Sequence, residues 1–248
     1  MSIIDIENDE RIDNIGFGEF KIIQKPEEFC YGIDAVIISD FVARFENGNS
    51  LKTGFDLGTG TGIIPLILSH KLKHSFITGI EVQEASYNRA QKNKEINNLN
   101  NRINFINANV TKLEKVLFDT ADFVVSNPPY MECCGGLKND NKAKMIARHE
   151  IEATLPDFFE AASKLLKPKG KLYMVHRPSR LPDIFEYGRK YGLEPKQIRF
   201  VKPNVNGETN IVLIQFAKNG GKELKYLKDL IVYENGEYTD EIKIIYEK

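Results

Sequence analysis

The sequence predicts an α/β fold, a doubly wound and mostly parallel sheet of about seven strands. Two observations carry this. From Leu51 onward, short runs of β-branched and aromatic residues alternate with segments of helical spacing, and such alternation requires parallel strands joined by right-handed crossovers. Residues 198–202 and 210–217 then read as two strands with no helix between them. They form a hairpin and leave the last strand antiparallel. A chain of 248 residues accommodates one large domain, or one domain with a small appendage.

The elements follow in order. Residues 52–57 form the first strand of the sheet, followed by a glycine turn and a helix over 63–71. Residues 75–82 form the second strand, 84–98 a polar helix and 102–106 the third strand. A short helical stretch spans 111–117, and 121–126 is the fourth strand. Helical spacing over 155–166 ends at Pro168, which cannot continue a helix. Residues 171–176 form the fifth strand and 181–191 another helix, punctuated by Gly192. Ahead of the sheet, 18–24 suggests a short strand pair and 33–44 an amphipathic helix. The expected organisation is an N-terminal extension over 1–50, the main domain over 51–220 and a C-terminal extension packed on it over 221–248. Residues 130–150 form a long, polar, Lys-rich connection, and long connections in compact domains are often functional.

Composition excludes several classes. Hydrophobic residues make up 42% and charged residues 28%, which excludes a disordered chain and a collagen-like one. The run at 63–68 is too short to span a bilayer. The first residues lack a basic start followed by an apolar stretch, so no secretory signal and no membrane partner are expected. Cys30, Cys133 and Cys134 give an odd count without ligand spacing. That implies a cytoplasmic, reducing location, with no disulfide framework and no metal site. The net charge is −1, yet the window 138–202 holds 15 Lys and Arg against 8 Asp and Glu. Such a stretch is either a set of solvated helix faces or a surface for phosphate and nucleic acid.

The first strand runs into Asp56-Leu57-Gly58-Thr59-Gly60-Thr61-Gly62. Glycines at every second position allow a tight turn and a close backbone approach to a ligand at the helix N-terminus. A dinucleotide fingerprint would need glycine at position 63, which is Ile63. Asp56 at a strand end disfavours a pyrophosphate and suits an amino group or a cationic centre. Glu81 falls at the end of the neighbouring strand, where a carboxylate accepts both hydroxyls of a ribose. Asn109, at the end of the third strand, either meets an adenine edge with its amide or is a turn residue.

The fourth strand ends in Asn127-Pro128-Pro129-Tyr130. Two prolines fix the backbone in an extended form and carry no N–H, so the carbonyls of this segment are free to meet a ligand. The strand neighbours the first one across the switch point of the sheet, where ligand sites form. A planar amine is a poor nucleophile because its lone pair is delocalised. Acceptors from Asn127 Oδ1 and the Pro128 carbonyl on its two N–H groups would favour a more pyramidal nitrogen, and Tyr130 would stack on the ring. In-line positioning against a sulfonium methyl supplies much of the rate.

Taken together, the glycine loop, Glu81 and the Asn127–Tyr130 segment resemble the class I S-adenosylmethionine-dependent methyltransferases, in the branch acting on exocyclic or amide nitrogens. Phe29 to Ala35, Ala147 to Glu150, Tyr238-Thr239 and Glu241-Ile242 extend the resemblance to the bacterial valine-tRNA adenine N6-methyltransferase family. The resemblance implies a Rossmann-like sheet, S-adenosylmethionine as cofactor and an anticodon-loop adenine of tRNA as target. It implies that Asp56, Gly58, Thr59, Gly60 and Gly62 hold the methionine end, Glu81 the ribose, and Val82 the adenine pocket. Asp34 would close over the cofactor, Asn127 would border it, and Asn127, Pro128, Pro129 and Tyr130 would hold the target base. Many relatives have an acid where Asn109 stands. Loop bases are unstacked and cheap to extrude, and Lys138, Lys142, Lys144 and Arg148 would track the phosphates, or simply belong to a solvated loop.

Other readings follow from the same residues. A protein glutamine is also a planar amine, but release-factor methyltransferases carry a longer helical region before the glycine loop than the 50 residues here. Guanine N2 or small-molecule methylation ranks third. A non-catalytic binding module has no need of two aimed acceptors, and the glycine spacing disfavours a nicotinamide oxidoreductase. His70 and His74 read as surface residues and His176 as structural, and Cys133-Cys134 are given no role.

Overall fold

The protein is seen as a computed structural model that describes residues 6–27, 30–130 and 153–247. The chain runs β1 (Arg11–Asn14), β2 (Lys21–Gln24), α1 (Ile33–Glu46), β3 (Lys52–Leu57), α2 (Ile63–Lys71), β4 (Ser75–Glu81), α3 (Glu84–Ile96) and β5 (Ile103–Asn107). Two short 3-10 turns, Val110–Lys112 and Lys115–Leu117, lead to β6 (Ala121–Ser126). There follow α4 (Leu155–Leu165), β7 (Leu166–His176), α5 (Leu181–Lys190), β8 (Leu193–Lys202), β9 (Ile211–Lys218) and β10 (Lys225–Ile231). The chain closes with β11 (Tyr233–Glu234), β12 (Glu237–Tyr238) and α6 (Asp240–Ile245). Among the described residues no helix is long and apolar enough to cross a membrane.

The central sheet has the order β10-β8-β9-β7-β6-β3-β4-β5. β3 pairs in parallel with both β4 and β6, and the chain leaves β3 toward β5 before returning to β6 on the other side. That reversal is the switch point. β9 runs antiparallel between β7 and β8, which is the expected hairpin. The seven expected strands are all present, and β10 adds an eighth at the edge, parallel to β8.

Helix and strand ends shift locally. α4 stops at Leu165, because Leu166 already pairs with Ala121 of β6 and Lys167 precedes Pro168, and a residue before proline is pushed out of helical geometry. β8 starts at Leu193, five residues earlier than expected, since its register slips between Pro195 and Gln197 and pairing resumes on both sides. The segment 111–117 resolves into the two 3-10 turns.

Alternate residues of the strands feed two layers. On β6 and β7, Phe123, Val125, Tyr173 and Val175 face α1, α2 and α6. Val124, Leu172 and Met174 face α4 and α5. α1 is pinned at both ends. Its last residue, Glu46, is buried and accepts from Lys52 Nζ (2.8 Å), Lys171 Nζ (3.0 Å) and the Tyr173 hydroxyl (2.6 Å). Its first turn carries Asp34 to the opposite edge of the sheet, where the strands β3, β4 and β6 end. The β1–β2 pair docks on α3 through Asn93, whose Oδ1 accepts from the Ile23 N–H (2.6 Å). The C-terminal segment packs inward, with Leu230, Val232, Ile242 and Ile245 buried in the α1 layer.

Candidate active site

β3 and β4 end side by side, so Asp56 and Glu81 stand on adjacent strands. Gly58, Gly60 and Gly62 have φ of 72°, 57° and 86°, a left-handed backbone that side chains resist. The turn they build bends the chain over the sheet edge, with Gly58 N–H and Thr59 N–H both donating to the Ile80 carbonyl (2.9 and 3.0 Å). Asn93, for which the sequence offered no signal beyond a polar residue on a polar helix, supports this turn by donating to the Thr61 carbonyl (2.9 Å).

Asp56 is fully buried. Its Oδ2 accepts from Thr59 Oγ1 at 2.6 Å, while Oδ1 is buried without a hydrogen-bond partner among the described residues. Burial pushes its carboxyl up to about 7, the Thr59 bond opposes that shift, and the neighbouring Glu81 charge adds to it. A buried, unpartnered acceptor beside a glycine turn fits a cationic amino group from a ligand. Glu81 is held at both oxygens, Oε2 by the Gly60 N–H and Oε1 by the Gln83 N–H, each at 2.8 Å. These two amides orient the carboxylate.

Asn109 Oδ1 accepts from the Thr111 N–H and Thr111 Oγ1, both at 2.8 Å, so this oxygen caps the 3-10 turn, which is the turn role of the two weighed. Asn107 does more for the rim, donating to the Glu81 carbonyl (2.8 Å) and the Val82 carbonyl (3.2 Å). It thereby fixes the half-buried Val82 at the edge of the turn.

Across the switch point, Leu57 pairs with Ser126, and the Ser126 hydroxyl donates to the Leu57 carbonyl at 2.9 Å. Asn127 is the next residue. Pro128 is buried, and Asn127, Pro129 and Tyr130 are half-buried. The Tyr130 hydroxyl lies 2.7 Å from Asn127 Oδ1 and 2.7 Å from Asp34 Oδ2. One O–H proton is thus shared by two acceptors, and Asp34 of α1 is tied directly to the Asn127–Tyr130 segment. Burial and the Asp34 charge hold the Tyr130 phenol well above its ordinary value, opposed by Arg177.

Two residues at the end of the next strand, its last residue and the one after it, complete the surroundings of Tyr130. The His176 ring lies 5.2 Å from the Tyr130 ring, centroid to centroid. Burial, aided by Arg180, lowers its pKa to about 4, and its Nδ1 accepts from the Arg177 N–H at 2.8 Å. The imidazole is therefore neutral, with its proton on Nε2. The Arg177 guanidinium stands 5.0 Å from the Tyr130 ring centroid. The sequence marks Arg177 only as one of the basic residues of the 138–202 window, directly after the strand that neighbours β6. Lys138, Lys142, Lys144, Arg148, Cys133 and Cys134 lie outside the described residues.

Asp56, Glu81 and the glycine turn thus form one wall at the carboxyl ends of the strands. Asp34, Asn127 and Tyr130 form the other. The first wall offers acceptors to an amino group and a pair of hydroxyls, and the second offers acceptors and an aromatic ring to a planar amine.

Comparison with known proteins agrees with this architecture. A relative from Trichodesmium erythraeum, named tRNA1(Val) (adenine(37)-N6)-methyltransferase, is 29% identical over 226 residues, covering 90% of this chain and 90% of its own. The solved structure of a predicted O-methyltransferase from Agrobacterium tumefaciens superposes with a TM-score of 0.69 at 19% identity, covering 86% of this chain and 95% of that one. That of M. jannaschii TYW2 in complex with AdoMet gives 0.58 at 16% identity, covering 87% and 88%. Residues 20–183 match the family described as the methyltransferase small domain, and with two thirds of its length inside that match, the chain belongs to this family.

Proposed function

We propose that the protein is an S-adenosylmethionine-dependent methyltransferase acting on the N6 amine of an adenine in tRNA, in the cytoplasm. The observation that carries this is the pairing, across one switch point, of the orphaned Asp56 Oδ1 with the Asn127–Tyr130 segment. The relative from Trichodesmium erythraeum supports the substrate, and the M. jannaschii neighbour with AdoMet supports the cofactor.

The cofactor supplies an electrophilic methyl group on a sulfonium. The chain's own residues do the rest. Asp56 Oδ1 accepts from the cofactor's amino group, and Glu81, oriented by the Gly60 and Gln83 amides, accepts the ribose hydroxyls. Asn127 Oδ1 and the Pro128 carbonyl accept from the two N–H groups of the target amine, which localises its lone pair. Tyr130 offers its ring face to the base. Its hydroxyl keeps Asp34 as partner while Asn127 Oδ1 turns to the amine, so the first turn of α1 stays tied to the base-binding wall as the substrate enters. The surplus proton leaves after transfer, so no base needs to be poised beforehand.

The test is methyl transfer from labelled S-adenosylmethionine to bulk unmodified tRNA, with a release factor as parallel substrate. The expected product is N6-methyladenine in tRNA. Asn127→Ala is expected to lower single-turnover transfer by about 10²–10³, the scale of losing one aimed hydrogen bond at a reacting centre, with cofactor affinity by calorimetry nearly unchanged. Label in the release factor and none in RNA would overturn the substrate. Loss of cofactor binding in the variant would overturn the division of roles.

A further inference from the structure

We propose that Arg177 is a phosphate-binding residue of the same site, gripping the RNA backbone beside the target nucleotide while its guanidinium face rests on Tyr130. The proposal builds on the reading of the site as one that takes an adenine in RNA.

Arg177 follows β7, the strand next to β6, at the edge where β6 delivers Asn127 to Tyr130. Its side chain is exposed, yet it does not wander. Nη1 donates to the Asn210 carbonyl at 2.9 Å, the backbone N–H is held by His176 Nδ1, and the guanidinium lies over the Tyr130 ring at 5.0 Å. No carboxylate among the described residues pairs with it. Its neighbours behave otherwise: Arg180 is bound by Asp183 at 2.7 Å and Lys202 by Asp229 at 2.9 Å.

A guanidinium stacks through its faces and donates through its edge. The contact with the Tyr130 ring and the one bond to Asn210 leave the other N–H groups of this exposed guanidinium without a partner among the described residues. Phosphate oxygens accept from such a fork in bidentate fashion. A base inserted against Tyr130 necessarily brings its own phosphodiesters to that rim. Arg177 would then set the depth at which the base sits, because one side chain touches both the ring that holds the base and the backbone that carries it. Lysine supplies the charge without the planar face and without the fork.

Binding of a short unmodified RNA hairpin with an adenine in its loop, followed by fluorescence anisotropy over a salt series, tests this without relying on catalysis. The probes are the wild-type chain, Arg177→Met and Arg177→Lys, with cofactor affinity by calorimetry as the control for an intact site. Losing one phosphate contact to a single strand flattens the slope of log K against log salt by about 0.7. Arg177→Met is expected to show that flattening with unchanged cofactor affinity. Arg177→Lys is expected to keep the wild-type slope but lose single-turnover transfer rate, about tenfold. A slope unchanged in Arg177→Met overturns the proposal and leaves Arg177 as a support for Tyr130 alone, as does a wild-type chain that does not bind the hairpin. A flattened slope in a chain that binds RNA but transfers no methyl group to it would retain the phosphate contact and overturn the proposed reaction instead.

Discussion

Asp56 puts a fully buried carboxyl with one unpartnered oxygen at the glycine turn. In the ligand-free protein, burial favours its neutral form and holds its pKa near 7. The folded value lies above the unfolded value of about 4. Its contribution to stability is therefore fully present below about pH 4 and is lost as pH rises through about 7. A cationic amino group on Oδ1 reverses the preference and favours the carboxylate. S-adenosylmethionine affinity should therefore rise with pH through the same window and level off above it, with close to one proton released on binding below about pH 7. Calorimetry in buffers of different ionisation enthalpy measures both. An affinity that is flat from about pH 5 to about pH 8 would show that the Asp56 carboxyl meets no cation. Asp56→Asn should abolish the proton release.

At the scale of elements, the site depends on how closely β3 and β6 approach, and this rests on Gly54. A Cβ there would overlap the Phe123 ring of β6, which lies across the glycine, and Phe123 is itself fully buried. Gly54→Ala should destabilise the protein by about 1–3 kcal/mol, the usual cost of overpacking a core. Much of that should be recovered in the double variant with Phe123→Leu, as chemical denaturation of the three chains would reveal. Additive losses would mean that the ring and the glycine do not share the space. β6 was legible because a buried parallel strand reads as an apolar run, and β3 because Phe55 and Leu57 run straight into the glycine turn. The glycine turn, Asp56, Glu81 and Asn127 were legible because strand ends next to a switch point are where ligands bind. β10 was not, since most of Lys225 to Ile231 is exposed or half-buried and only Leu230 is fully covered, so an edge strand leaves little periodicity to read. Arg177, His176 and Asn93 were illegible for another reason. Their roles depend on what stands beside them in space, and neither spacing nor residue type announces a ring in contact from the neighbouring strand.

At the scale of the whole molecule, the C-terminal segment packs into the core layer that holds α1 and α2. Two arginines meet on Glu241: Arg44 of α1 at 2.9 Å and Arg199 of β8 at 2.7 Å. Together with the Glu46 cluster at its end and the Asp34–Tyr130 bond at its start, α1 is held along its whole length. Ile242 and Ile245 of α6 lie beneath these ion pairs, both buried in the core layer that contains Phe41 of α1 and Leu66 of α2. The rings of Tyr238 and Tyr246 stack at 5.6 Å, and those of Tyr246 and Phe17 at 6.3 Å, carrying the same layer to the N-terminal extension. Partly exposed ion pairs contribute little each, so the buried isoleucines supply most of the hold. Ile242→Ala should cost about 2–5 kcal/mol, seen as a lower denaturation midpoint with an unchanged slope. Because α6 braces α1 and α1 carries Asp34, a milder effect should reach the site. Near the variant's midpoint, S-adenosylmethionine should shift the transition by less than it shifts the wild type, since a loosened α1 holds Asp34 less firmly at the site. A variant with wild-type stability would show that residues 221–248 are an appendage, and that α1 is fixed by the sheet alone.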